Sequence, residues 1–165
     1  MCDWYELEEG MLEETFGIRE QYLLEKANSG NVDAMYLLAK LYRDEEQENN
    51  ELPWLRKAAE AGHAEATYLM GHYEPNKEKA LAYYLKAVDM GSAFAMSGLG
   101  QMYLQGSSCV EKDEVKAFEL FQKAAKLGDS EGYYWLAMCY QYGSGVKKDS
   151  EKAFNYAIKA YNALY

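Results

Sequence analysis

Few residues in this sequence could do catalytic or metal chemistry. The two histidines, His63 and His72, lie nine residues apart on one predicted helix. At about 100° per residue this spacing places them on opposite faces, so they cannot share a metal ion. The three cysteines, Cys2, Cys109 and Cys139, show no short paired spacing and no neighbouring histidine. The sequence therefore predicts reduced thiols, no metal, no cofactor and a protein that is not an enzyme.

One glycine-rich segment, Gly143-Ser144-Gly145, could be taken for a phosphate-binding loop. It lacks the Gly-Lys-Ser/Thr ending and the preceding strand that such a loop needs. We interpret it as a turn between two helices.

The charge is strongly acidic, with 17 basic and 27 acidic residues and a net charge of −10. Residues 1–50 hold 13 acidic and 4 basic residues, whereas residues 51–165 hold 14 and 13. Such a field repels a phosphate backbone and an anionic membrane surface, so we expect neither nucleic acid nor a membrane as partner. A basic protein or peptide would be attracted. The alternative is that the acidic residues form a solvated surface that only maintains solubility.

The N-terminal residues Met1 to Gly10 read MCDWYELEEG. They contain no basic region followed by an apolar one, as a secretory signal would, and the chain has no run of about 20 apolar residues. We therefore expect a cytoplasmic protein.

An internal repeat is the strongest signal in the chain. The phrase Lys-Ala-Ala or a close variant comes before a glycine four times, at Gly30, Gly62, Gly91 and Gly128. A glycine after an alanine-rich run is typical of the left-handed residue that ends a helix. The sequence therefore predicts a helix end at each of these four places.

The residues that follow each glycine also repeat. Four positions on, the residue is small: Ala34, Ala66, Ala95 and Gly132. Eight positions on, it is large and apolar: Leu38, Met70, Leu99 and Leu136. Twelve positions on, three copies have tyrosine: Tyr42, Tyr103 and Tyr140. These offsets share one helical face, and a second predicted helix follows, for example over 114–127 and 151–163. Each unit is then a helix hairpin that must stack on its neighbours to bury an apolar core.

The fourth unit shows the pattern most completely, with Leu136, Ala137, Tyr140, Gly143, Gly145, Val146, Asp149 and Ala153. This pattern resembles the Sel-one-like repeat, a relative of the tetratricopeptide repeat. The resemblance implies an all-α fold, an α/α superhelix built as a right-handed solenoid of helix-turn-helix repeats. We expect one domain over 1–165, with a cap helix at about 11–28 and repeats at about 30–61, 62–90, 91–127 and 128–163.

By analogy with tetratricopeptide repeats, residues three, six and ten positions after each glycine would line a concave protein-binding groove. These are Asp33, Tyr36, Lys40, Glu65, Tyr68, His72, Phe94, Ser97, Gln101, Glu131, Tyr134 and Met138. Three units place an acid beside a tyrosine, a combination that suits a basic peptide through carboxylate and cation–π contacts. The alternative is that Tyr36, Tyr68 and Tyr134 pack between repeats.

The two ends of the repeat array need polar caps. At the N-terminus the predicted inner face of the cap helix is Met11, Leu12, Phe16, Ile18, Tyr22 and Leu23. The last helix carries Phe154, Tyr156, Ile158, Tyr161, Leu164 and Tyr165, with nothing polar after them. These residues form either an ordinary inner face with an exposed rim or a surface that pairs two copies in a homodimer.

The sequence thus predicts a non-catalytic adaptor or scaffold that binds a protein or basic peptide. The alternative is an immunity protein, a small acidic chain that masks a basic toxin.

Overall fold

The computed structural model describes residues 4–106 and 108–164, with side chains from residue 15 onward. Within these ranges the chain forms helices and no strands, which confirms the predicted all-α class. The helices are α1 (Trp4–Asn28), α2 (Val32–Asp44), α3 (Glu48–Glu60), α4 (Ala64–Tyr73), α5 (Lys77–Asp89), α6 (Ala93–Gln105), α7 (Glu114–Lys126), α8 (Ser130–Tyr142) and α9 (Ser150–Asn162).

The chain divides into two compact units, Met1–Ala66 and Thr67–Tyr165. In the first unit α2 packs against both α1 and α3. In the second, α6 packs on α5 and α7, α8 packs on α7 and α9, and a smaller contact joins α6 to α8. The prediction of a single domain remains a prediction.

Each of the four repeat glycines ends a helix in the left-handed region, with φ between 86° and 94°. The residue after the glycine then has two roles. Its N–H closes the old helix: Asn31 donates to the carbonyl of Lys26 at 3.1 Å, and Asp129 to that of Ala124 at 3.2 Å. This is the bond that defines a Schellman ending.

The side chain of the same residue caps the N-terminus of the next helix. The four capping acceptors are Asn31 Oδ1, His63 Nδ1, Ser92 Oγ and Asp129 Oδ2, and each takes the N–H three residues on. These bonds are 2.8–3.2 Å long. A three-residue turn therefore satisfies the ends of both helices that it joins.

The repeated face identified in the sequence lies in the cores of both units. Leu38, Leu99 and Leu136 are at most 2% exposed, and Tyr42 and Tyr140 are also buried. The small positions permit close approach. A Cβ atom added to Gly132 would lie 2.7 Å from the backbone nitrogen of Ala125, and one added to Gly100 would meet the ring of Phe121 at 2.5 Å.

Helix α1 differs from the prediction at its start and on one face. It begins at Trp4 rather than at about residue 11. Phe16 and Leu23 pack on the core formed by Ala27, Ala34, Leu38 and Tyr42, as expected. Ile18 and Tyr22, also predicted to face inward, are 64% and 60% exposed.

The reason for this correction is angular. At about 100° per residue Leu23 lies within about 20° of Phe16 around the helix, whereas Ile18 and Tyr22 lie about 200° and 240° away. The side chains of Met11 and Leu12 lie outside the described residues.

A hydrogen bond ties α1 to α2. The hydroxyl of Tyr42 donates to Glu20 Oε1 at 2.6 Å. Burial and this carboxylate together raise the pKa of Tyr42 to about 12, so its hydroxyl remains a donor at neutral pH.

We predict that Gly132→Ala lowers the free energy of unfolding by about 1–2 kcal/mol, because overpacking typically costs about 1–3 kcal/mol and alanine's helix propensity returns up to about 1. Urea unfolding followed by circular dichroism measures the change. Gly17→Ala on α1 is the control, since a Cβ atom there meets nothing within 4 Å. We expect the control to be stabilised by up to about 1 kcal/mol. Equal stabilisation of both variants would contradict the close approach of α7 and α8.

Candidate protein-binding surface

In the first unit the predicted groove residues differ in accessibility. Asp33 and Lys40 are exposed on α2, whereas Tyr36 is half-buried. The Tyr36 ring stacks on the imidazole of His63, with centroids 4.2 Å apart and an interplanar angle of 22°. Burial raises the pKa of Tyr36. Tyr36 therefore packs on the turn that precedes α4 and offers only part of its surface to a ligand.

His63 lies between two of the predicted acidic groove residues. Its Nε2 is 3.8 Å from Asp33 Oδ1, and its Nδ1 is 3.5 Å from Glu65 Oε2. The same Nδ1 accepts the Ala66 N–H at 3.2 Å, so it cannot also donate to Glu65. His63 therefore serves as the cap of α4, just before the helix on which it was predicted to lie.

In the second unit the structure brings Gln101 and Glu131 together from neighbouring repeats. Glu131 Oε1 accepts from Gln101 Nε2 at 2.7 Å and from the indole Nε1 of Trp135 at 3.5 Å. Both donors hold one carboxylate oxygen, and the other oxygen can accept from a ligand. The carboxylate is thus fixed in position although the side chain is exposed.

Three further predicted residues lie on α8, the helix that carries Glu131, or on the neighbouring helix α6. Phe94 is 50% exposed on α6 and Tyr134 is 49% exposed on α8. The Tyr134 ring meets the edge of Trp135, with centroids 5.3 Å apart. Met138, one turn further along α8, is half-buried.

Ser97 stands at one of the concave offsets, but it does not contribute to a groove. Its side chain is fully buried, and its hydroxyl donates to Asp129 Oδ2 at 2.6 Å. Asp129 is also the cap of α8, so the carboxylate serves both a helix end and the contact between α6 and the start of α8.

Tyr68 and His72 form a ring cluster with Tyr84 of α5. The centroid distances are 4.8 Å for Tyr68–His72, 5.4 Å for Tyr68–Tyr84 and 5.6 Å for His72–Tyr84. A Cβ atom added to Gly98 would lie 2.6 Å from the Tyr68 hydroxyl oxygen, so this tyrosine reaches across to α6. Burial and then the charge of Glu131 raise the pKa of Tyr68 to about 12.

Two residues of this surface were missed by the sequence analysis. Trp135 lies seven positions after its repeat glycine, outside the offsets of three, six and ten. It lies one helical turn beyond Glu131, and that spacing could have identified it. Tyr84 lies on a second helix of a repeat, and the groove pattern considered only first helices.

The two described cysteine thiols, which could act as nucleophiles, each lie near an acidic side chain. Burial, followed by the carboxylate of Glu114, raises the pKa of the Cys139 thiol to about 11, so it stays protonated at neutral pH. Cys109 Sγ lies 3.7 Å from Glu78 Oε1.

Within the described ranges no cluster of three or more histidine, cysteine or acidic side chains is arranged to hold a metal ion. Likewise, no described helix is long and apolar enough to span a bilayer.

One apolar stripe of the last helix, α9, is exposed. Phe154, Ile158 and Tyr161 are 67%, 43% and 65% exposed. Phe154 corresponds in the repeat to Phe118 of α7, which is buried and meets the ring of Tyr140 at 5.5 Å. The equivalent position on α7 is therefore covered by α8.

The opposite side of α9 is an ordinary inner face. Ala153 and Ala160 are buried, and Tyr156 stacks on Tyr140 with centroids 5.6 Å apart.

The succession of capped helix pairs defines a helical-repeat protein, and comparison with known proteins identifies the family. The Sel1 repeat matches residues 32–47, 54–63, 64–92, 93–129 and 130–163. The chain belongs to the Sel1 repeat family.

Three similar proteins show the range of the family. Chitin synthase regulatory factor 1 of Schizosaccharomyces pombe is 32% identical over 88% of this chain and 34% of its own length. The ERAD-associated E3 ubiquitin-protein ligase component HRD3B of Arabidopsis thaliana is 33% identical over 67% of this chain and 18% of its own length. The crystal structure of a Sel1 repeat protein from Oxalobacter formigenes is 29% identical, has a TM-score of 0.74, and is matched over 87% of this chain and 61% of its own. The chain therefore spans about a third or less of the two curated relatives.

Proposed function

We propose that this chain is a non-catalytic interaction module that binds a partner protein or peptide through basic side chains. The observation that carries the proposal is the surface around Glu131. There a carboxylate held by Gln101 and Trp135 lies one turn from the exposed ring of Tyr134, on a helix adjacent to exposed Phe94.

Physical chemistry favours binding at such a surface. Tyrosine, tryptophan and methionine are enriched in protein interfaces, and exposed aromatic side chains gain from leaving water. A carboxylate already held by two donors loses little side-chain freedom when it pairs with a lysine or arginine. The similar proteins named above are a regulatory factor and a ligase component, roles that a binding module suits.

The non-catalytic part of the proposal is supported by what the reactive groups do. The ring nitrogen of His63 caps a helix, and the Cys139 thiol is buried and protonated. The Cys139 thiol is therefore not a nucleophile at neutral pH, and the Nδ1 lone pair of His63 is occupied by the Ala66 N–H.

A second candidate, an immunity protein that masks a basic toxin, is favoured by the charge distribution. Residues 1–66 hold 16 acidic and 6 basic residues, whereas residues 67–165 hold 11 of each. A field concentrated in one part of the chain would steer a basic partner at low ionic strength. Cells that lose the chain would then be harmed by the toxin, which a general adaptor does not predict.

The capture experiment uses the intact chain as bait in a lysate of its own cells, with quantitative mass spectrometry. We expect Glu131→Lys combined with Tyr134→Ala to reduce capture of the partner at least about tenfold, equivalent to about 1.4 kcal/mol, through charge repulsion and loss of the ring. Glu119→Lys combined with Tyr22→Ala is the control, because it makes the same changes at other exposed positions. Equal capture by both double variants, with equal melting temperatures, would reject this surface.

The exposed stripe of α9 generates a separate prediction, that two copies pair through it. Phe154 and Tyr161 lie four and three residues on either side of Ile158. A twofold axis near Ile158 would therefore set Phe154 of one copy against Tyr161 of the other. We expect Phe154→Ser with Ile158→Ser to convert a dimer to a monomer in sedimentation equilibrium. A wild-type chain that is monomeric at every concentration would exclude this pairing.

A further inference from the structure

A cleft in the second unit, beside the Glu131 carboxylate, has the character of a cation site. It has a volume of about 210 Å³ and lies among residues of α4, α5 and α6. Its lining includes Tyr68, His72, Tyr84, Gly98, Gln101 and Gln105.

The aromatic wall of the cleft consists of the rings of Tyr68, His72 and Tyr84, which are held in place by close packing. Tyr68 reaches across Gly98, and the ring of Tyr84 packs so close to Gly71 that an added Cβ atom would lie 2.4 Å from it. The three rings of the cluster touch one another at centroid distances of 4.8–5.6 Å. Rings fixed in this way offer π surface to a ligand without a further loss of freedom on binding.

The electrostatics of the cleft favour a positive ligand. Gln101 lines the cleft and also donates to Glu131, so the carboxylate stands at its edge. Glu131 is close enough to raise the pKa of Tyr68 through its charge. The described lining residues include neither lysine nor arginine, and α6 has no charged residue. The faces of tyrosine rings are the negative part of their quadrupole.

We propose that this cleft binds the guanidinium group of an arginine side chain in the partner protein. The inference rests on the proposed function and names the group that the surface recognises. The planar guanidinium would lie against the rings of Tyr68, His72 and Tyr84. It would donate to Oε2 of Glu131, the oxygen that does not accept from Gln101, and to the amide oxygens of Gln101 and Gln105. An ammonium group lacks the flat face and the fork of donors that this arrangement uses.

The test uses a small probe, so it does not depend on knowing the partner. The ¹⁵N-labelled intact chain is titrated with N-acetyl-arginine amide and, separately, with N-acetyl-citrulline amide, its neutral isostere. We expect the arginine probe to give saturable shifts at the Gly98 amide, the Gln101 side-chain amide and the Trp135 indole. The citrulline probe should bind at least about tenfold more weakly, because it lacks the charge that pairs with Glu131.

Glu131→Gln is the decisive variant. The glutamine oxygen can still accept from Gln101 and Trp135, so the variant removes the charge and keeps the acceptor. We expect it to weaken the arginine probe about tenfold, while Glu119→Gln on the exposed side of α7 leaves the affinity unchanged.

Three results would overturn the proposal: equal affinity for the two probes, an absence of saturable shifts, or equal affinities of the Glu131→Gln and Glu119→Gln proteins. If such a result occurred while Glu131→Lys with Tyr134→Ala still abolished capture, the arginine cleft would be rejected and the proposed binding function would stand. Loss of the probe response in Glu131→Gln, with capture unaffected by the double variant, would instead reject the proposed function.

Discussion

The three-residue turn between successive repeats is the constraint from which the rest of the structure follows. A left-handed glycine ends one helix, and the next residue closes that helix with its N–H and opens the following one with its side chain. Asn31, His63, Ser92 and Asp129 differ in chemistry but make the same bond to the N–H three residues on. All three residues of each turn take part in capping, so in the turns before α2, α6 and α8 the direction of the next helix is set locally. The small residue that donates to the cap packs on the preceding helix at Ala34, beside Ala27, and at Gly132, beside Ala124 and Ala125.

This local geometry decides which side of each first helix remains available. Because the small and large apolar positions at offsets four and eight are turned into the core, most positions at three, six and ten lie toward the edge of the core or outside it. Ser97, at offset six, is the buried exception. In the second unit that leaves Phe94, Tyr134 and Glu131 exposed, and Glu131 is anchored across two repeats by Gln101. The proposed binding surface is thus a consequence of how the hairpins close. Tyr36, Tyr68 and Gln101 also pack or bond between helices, so part of this surface supports the fold as well.

The sequence predicted well those features that depend on short-range spacing. The burial of Leu38, Leu99 and Leu136 follows from their register after a glycine, and the helix class follows from the repeated phrase. Features that depend on which helices meet could not be predicted. Ser97 was placed in the groove by its offset, but it is buried because Asp129 of the next turn accepts its hydroxyl. Ile18 and Tyr22 were assigned to the inner face of α1 although they lie about 200° and 240° from Phe16 around the helix, an error that the sequence alone could have corrected. Trp135 and Tyr84 were missed because a groove defined by offsets on first helices excludes them.

We propose that partners bind to the outward side of the first helices, above all α6 and α8. Hydrogen exchange with mass spectrometry on the chain, alone and with its captured partner, locates the bound surface. We expect added protection in peptides that cover 93–105 and 130–142, with little change across 114–126 and 150–162. Protection confined to α7 and α9, with α6 and α8 unchanged, would contradict it.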